Sequence, residues 1–413
     1  MTTSNIRATT SNIRATTSNI PATGYQSIPE TAAQTVEFIS LTHLNPSTEL
    51  DPRPTRGIDL PYFKRYVRAL EDGGYDYTLL PYASNSADPF TLAATVGQLT
   101  STVTPIVALR PNTTHPLVAA QKLATLDQLT EGRAVVHIIS GGSDAEQARQ
   151  GDYLAKSARY ERSSEYIDVL RRAWTEPAPF SHGGSFYRFD DFGPGFAPHG
   201  PSIPISIGGS SDEAFAVGGA KADIFSFWGE PLADIKAQID RVNAIAEAAG
   251  RTDRPRIWVT FRPIIDRTED LAWAKAEAYV DRIAKTYATY TAANKRFAGQ
   301  PQNVGSQRAL DFAARQDVYD RALWTRTAAA TNAAGASTAL VGTPETVAAA
   351  IVDYIDLGAD LVSIRGYDTL NDVIDYGRYV LPLVRQELAH RKATGGRGDL
   401  QATHLGALAG AQA

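Results

Sequence analysis

The chain has 413 residues, 43% of them apolar, and a net charge of −5. That suits one large domain or two medium ones and leaves no basic footprint for nucleic acid or an anionic membrane surface. There is no cysteine, which excludes disulfides, thiolate catalysis and thiolate metal sites, and no apolar run approaches the roughly 18–20 residues that cross a bilayer.

The N-terminus reads TTSNIRA at 2–8, repeats it at 9–15 and begins again as TTSNIPA at 16–22. One Ile per seven residues cannot make an apolar seam between helices, and the stretch lacks the apolar core of a signal peptide. Residues 1–30 are therefore expected to be a disordered tail, and 391–413 a flexible one. Between them, short apolar runs alternate with amphipathic stretches. Strands are predicted at VEFIS (36–40), YTLLP (77–81), PIVAL (105–109), AVVHIIS (134–140), IPISIGG (203–209), ADIFSFW (222–228), RIWVTFRPII (256–265) and ADLVSIRGY (359–367). Helices fall between them, among them the stretch from Pro116, with Gly132 as its stop, and the last one ends near residue 390.

Eight Val/Ile-rich strands separated by helices predict parallel βαβ units and an α/β (β/α)8 TIM barrel over 31–390, with a doubly wound sheet as the alternative. About 70 residues, 268–338, separate strands seven and eight. That is too long for a structureless loop, so helices and then a mobile lid (296–338) are expected. In a barrel the chemistry sits at the C-terminal strand ends.

One such end reads GGSSDEA. Its glycines permit close backbone approach to a ligand, and the free N–H groups of the next helix favour a phosphate. Ser210 and Glu213 equally fit a capping box that needs no ligand. The seven histidines show no paired ligand spacing, so no metal is expected.

The ordered series ALRPNTTHPLVAAQKLATLDQLTEGR, ARYE, GGSSD, FWGEP, TALVGTPETVAAAI and RGY, spread over 36–385, resembles the bacterial luciferase-like flavin-dependent monooxygenase superfamily. Within it the chain is most similar to the alkanesulfonate monooxygenase branch. The resemblance implies a cytoplasmic barrel, homodimeric or homotetrameric, that uses reduced FMN from a separate NAD(P)H:FMN reductase and O2 as co-substrate, through a flavin (hydro)peroxide. It implies a phosphate seat at Gly209, Ser210 and Ser211, helped by Arg159 and Tyr160, although these two also fit a helix-face ion pair and a packed ring. Val107 and Ala108 would lie against the flavin ring or belong to the barrel core. His137, Ser140 and Trp228 would contact the flavin, His137 being alternatively a hydrogen-bonded core residue. His115 matches a recurrent pattern or caps the next helix.

On the substrate side the resemblance implies His43 and Tyr367 for proton transfer or hydrogen bonding, Arg262 for substrate charge, and Ser86 where the branch carries Cys. Pro263 stands where the branch has a second His, and Arg262 is offset by one. The lid arginine is missing from NAAGASTALVG, with Arg326 a replacement. Guanidinium forks suit a sulfonate. With that set thinned, a sulfone, an aromatic sulfur compound or a sulfur-free molecule fits as well as a sulfonate. Alternatives are an F420- or FMN-dependent oxidoreductase without oxygenation, and a flavin-binding protein without catalysis.

Overall fold

The computed structural model describes residues 36–53, 57–193, 195–293, 301–333 and 338–395. The predicted N-terminal tail and all but the start of the C-terminal one lie outside them. In chain order the elements are β1 (Glu37–Leu41), α1 (Leu60–Asp72), β2 (Tyr77–Leu80), α2 (Pro89–Leu99), β3 (Thr104–Leu109), α3 (Pro116–Leu129), β4 (Val135–Ile138), α4 (Asp144–Ala148), α5 (Lys156–Thr175), β5 (Phe180–Gly183) and β6 (Arg188–Phe192). There follow β7 (Ile205–Gly208), α6 (Asp212–Lys221), β8 (Ile224–Trp228), α7 (Leu232–Ala248), β9 (Arg256–Ile265), α8 (Glu269–Ala293), α9 (Val304–Arg315), β10 (Val318–Tyr319) and β11 (Leu323–Trp324). The chain continues through α10 (Arg326–Ala330), β12 (Ala339–Gly342), α11 (Pro344–Asp356), β13 (Ala359–Ile364), α12 (Thr369–Tyr379) and α13 (Leu381–Thr394).

Eight parallel strands run in the order β1-β2-β3-β4-β7-β8-β9-β13, and β13 pairs with β1, so the sheet closes on itself. This is the expected (β/α)8 barrel, and the closure excludes the doubly wound alternative. All eight predicted strands are present. Their alternation sorts the side chains: Ile39, Tyr77, Ile106, Val135, Ile224, Trp258 and Leu361 plug the barrel interior. Residues of the opposite parity, such as Phe38, Val107, Val136 and Phe225, pack outward against the helices. Burial on both faces is why the strands read as unbroken apolar runs. Local chemistry starts the helices: Asp59 and Asp88 each accept from the backbone N–H three residues on, with proline in the first turn of α1 and α2.

Three features were not legible. The β5–β6 hairpin was not predicted. Within the stretch TALVG, Ala339–Gly342 forms β12, which pairs with the second half of β9, Arg262–Ile265, after that strand has left the barrel; β11 and β10 extend it antiparallel. A four-residue apolar run in an alanine-rich segment carries no period to read. The stretch expected as a lid is mostly regular structure: residues 301–333 form α9, β10, β11 and α10, with Trp324 and Ala328 fully buried. Residues 294–300 and 334–337 lie outside the described residues. The last helix also runs to Thr394, past the expected end near 390. Helix α8 packs Ala272, Ala276, Val280 and Ile283 against Trp324, Val341 and Tyr367, which carries it over the barrel mouth.

Candidate active site

Inward parity continues past the strand ends, and there it changes from apolar to polar. Two residues beyond Leu41 stands His43, beyond Ala108 Arg110, beyond Thr260 Arg262 and beyond Ser363 Arg365. Together with inserted segments they line two chambers at the C-terminal mouth. The larger, about 740 Å³, is bounded by Leu41, Leu79, Arg110, His137, Trp258 and the β7–α6 turn, among others. The smaller, about 420 Å³, lies between the β1–α1 loop, α8 and the turn after β13. Arg365 lines both.

In the larger chamber Gly209 takes φ +143, a region favouring glycine, and an added Cβ would sit 2.9 Å from the Ala214 Cβ and 3.2 Å from the Tyr160 hydroxyl. Ser211, not Ser210, is the N-cap of α6, accepting from Ala214 N–H at 3.4 Å; this corrects the expected Ser210–Glu213 capping box, since the residue three beyond the true cap is alanine and the cap is a lone serine. Ser210 lines the chamber, and so do Tyr160 and Lys156. This is a set of donors around a close-approach backbone, and it fits a phosphate ester. Arg159 is buried and largely committed: it donates to the carbonyls of Ser140, Leu154 and Gly141 and pairs with Asp144 at 2.9 Å. It shapes the wall of the seat, and Lys156, paired with Glu213 at 3.0 Å, is the more adaptable cation.

His137 and Ser140 also line this chamber. The His137 Nδ1 shares a 2.9 Å hydrogen bond with the Ser206 hydroxyl, and its ring meets Trp258 edge-on at 5.4 Å. Burial lowers its pKa to about 4, so it is neutral at physiological pH. Ser140 bonds the Ser163 hydroxyl at 2.8 Å. Trp228 lies over α9 at Gly305, where a side chain would strike the indole.

The smaller chamber gathers His43, Glu49, Arg262, Arg365 and Tyr367. Arg262 is buried, lies 3.7 Å over the Tyr367 ring, donates to the Gly366 carbonyl at 3.3 Å and pairs with Glu49 at 2.6 Å. Burial, and then the positive charge of Arg262, lower the Arg365 pKa to about 10. Burial, with Arg365 and Arg262 next, lowers that of His43 to about 3. Burial works to raise the Glu49 pKa, but Arg262 and Arg365 outweigh it and hold the carboxyl below its ordinary value. Tyr367 is raised by burial and stays a neutral hydroxyl. Among the described residues two guanidiniums against one carboxylate leave a net positive lining, and that excess adds to burial, the larger cause, in lowering the Arg365 and His43 values. The turn bearing Arg365 and Tyr367 is fixed by Asp372, which accepts from the N–H groups of Tyr367 and Asp368 at 2.7 and 2.8 Å.

A sequence model of the luciferase-like monooxygenases matches residues 38–361. The chain belongs to the luciferase-like monooxygenase family. Among solved structures of similar fold are the EDTA monooxygenase EmoA from Chelativorans sp. BNC1 (TM-score 0.66, 20% identity, 86% of this chain and 94% of that one) and DmoA from Hyphomicrobium sulfonivorans (0.68, 20%, 89% and 90%). An F420-dependent secondary alcohol dehydrogenase solved with an F420-acetone adduct is also similar (0.61, 17%, 85% and 99%).

Several residues expected from the family resemblance fall elsewhere. Ser86 is exposed and closes its own turn, bonding Ala83 N–H and the carbonyls of Ala83 and Ala87; it lines neither chamber. Val107 has outward parity and belongs to the helix-facing core. Ala108 points inward, opposite His137 across the β3–β4 pair, but lies beneath the lining. Arg326 pairs with Glu277 at 2.7 Å and reaches neither chamber. His115 caps α3. Glu49 is not found by sequence reasoning, and Arg110 and Arg365, at strand ends where chemistry is expected, are given no role by it. The first sits in a loop that gave no signal, but the other two were available from parity, each two residues beyond an inward-facing one.

Proposed function

We propose that the protein is a two-component monooxygenase that uses reduced FMN and O2 on a small organosulfur molecule carrying an anionic head, of the sulfonate type. The carrying observation is the smaller chamber: Arg262 and Arg365 line one cavity with a neutral His43 and, among the described residues, a single counter-charge, Glu49. Paired guanidiniums favour an oxyanion, through charge and forked hydrogen bonding together. The cavity lies beside a chamber of a size and lining that suit FMN, and Arg365 stands at the boundary.

Ser210, Ser211, Tyr160 and Lys156 would hold the FMN phosphate, and His137 and Trp258 would lie beneath the ring. Reduced FMN and O2 supply the oxygen-transfer chemistry when bound. The chain's own part is to bind, orient and exclude water. Arg262 and Arg365 fix the anionic head, and α8 with the β1–α1 loop closes the cavity. The Tyr367 hydroxyl, which lines the cavity wall, would donate a hydrogen bond to the bound molecule. His43 enters as a neutral imidazole, able to accept a proton, and a bound anion that offsets the two arginines raises its affinity for that proton. A separate NAD(P)H:FMN reductase would supply the reduced flavin.

The test is oxygen uptake with reduced FMN generated by a separate reductase, alkanesulfonates and neutral sulfones being offered in parallel. Substrate-dependent product from sulfonates supports the proposal. Hydride transfer from reduced F420 without oxygen uptake, or tight FMN binding with no turnover, would replace it.

A further inference from the structure

Four cations line the larger chamber, and three have evident work. Lys156 and Arg159 stand on α5 beside the β7–α6 turn, and Arg365 borders the smaller chamber. The fourth, Arg110, stands past the end of β3, alongside Leu41, Leu79 and Tyr82. It is 3% exposed. One nitrogen donates to the Gln150 side chain at 2.9 Å, the guanidinium lies 5.2 Å from the centre of the Tyr82 ring, and its Nε–H has no hydrogen-bond partner among the described residues. The nearest carboxylate, Glu146, is 3.6 Å away. That carboxylate is shared with Arg149 at 3.6 Å and accepts from Ser84 N–H at 2.7 Å. A buried guanidinium so weakly compensated is costly unless a ligand completes it.

The barrel order supplies the ligand's polarity. β7 and β1 lie opposite each other in the eight-stranded ring. The larger chamber runs from Gly209–Ser211 to Leu41, Leu79 and Arg110, so a ligand whose phosphate sits at that turn has room for its ring system toward the ends of β1, β2 and β3. Among the described residues at those three strand ends Arg110 is the cation of the lining, Arg365 standing past the neighbouring β13. Oxidised isoalloxazine is neutral, whereas the reduced ring loses a proton near neutral pH and spreads negative charge over its pyrimidine edge. A fixed cation at that edge favours the reduced form.

We propose that Arg110 is the residue by which the protein binds reduced FMN in preference to oxidised FMN. This rests on the assignment of FMN to the larger chamber. The inference predicts a selective loss: Arg110→Met weakens reduced FMN at least ten-fold and leaves oxidised FMN nearly unchanged. A ten-fold change in that ratio is a fall of about 30 mV in the driving force for reduction on the protein. Arg110→Lys retains most of the preference. Glu146→Gln removes the opposing charge and increases it.

The experiment is anaerobic fluorescence titration of the full chain and the three variants with FMN and with dithionite-reduced FMN. Preference for reduced FMN in the parent chain, lost in Arg110→Met and enhanced in Glu146→Gln, supports the proposal. Equal loss of both affinities, or no change in either, overturns it. If Arg110→Met does not fold, Glu146→Gln decides, and an unchanged ratio there overturns the proposal. Binding of neither flavin form by the parent chain instead overturns the assignment of FMN to the chamber.

Discussion

Replacing Arg262 by Met removes one guanidinium from the smaller chamber and keeps much of its apolar stem. Three interactions go with it: the 2.6 Å ion pair with Glu49, the 3.3 Å bond to the Gly366 carbonyl and the stacking 3.7 Å over Tyr367. A hydrogen bond to a charged group contributes about 1.5–3 kcal/mol, so KM for an anionic substrate should rise roughly 10- to 150-fold. KM for a neutral sulfone of similar shape should change little. The lost cation–π contact, about 0.5–2 kcal/mol, lowers the melting temperature by a few degrees. The imidazole of His43 reports the charge change independently: Arg262 is one cause of its depressed pKa of about 3, so the variant's His43 must titrate higher. Steady-state kinetics on the sulfonate and sulfone, with an NMR titration of His43, test both. Equal increases in KM for the two substrates, or a His43 that does not move, would refute the charge argument.

Three further outcomes are expected. His43 and His137 have folded pKa values of about 3 and 4, below the ordinary 6.5. As pH falls below 6.5 the unfolded chain takes up protons that the folded one refuses, so stability should decline through the window from 6.5 to about 3. His137→Gln should flatten part of that slope in melting temperature against pH, and an identical slope would sink the assignment. Gly209→Ala forces a side chain into a conformation at φ +143. The strain is about 1–3 kcal/mol, and if the turn shifts to relieve it, FMN affinity falls roughly 5- to 150-fold by titration; unchanged affinity would show that the turn is no phosphate seat. Ser86→Ala should leave kcat/KM within about two-fold and cost at most about 1 kcal/mol, because Ser86 serves only its own turn. A ten-fold fall in kcat/KM would return it to the active site.

By itself the sequence determined the barrel. Strands buried on both faces must be continuously apolar, and eight such runs alternating with capped helices have few ways to pack. It also located the GGSS turn, because close backbone approach requires glycine and Gly209 has no room for a Cβ. Local chemistry reaches that far because each of these signals is complete within a few residues. The tertiary structure alone decided what meets at the mouth. Glu49 and Arg262 are more than two hundred residues apart, and no periodicity links a loop carboxylate to the end of β9. Ser86 has the right strand end and the wrong environment, since a hydroxyl is satisfied as well by its own turn as by a ligand. The long β9 leaves the barrel to pair with β12, which anchors the insertion bearing α8 as a wall of the smaller chamber. Pairing of that kind depends on which backbone edge is left open once the barrel has closed, and a strand's own residues do not record its neighbours.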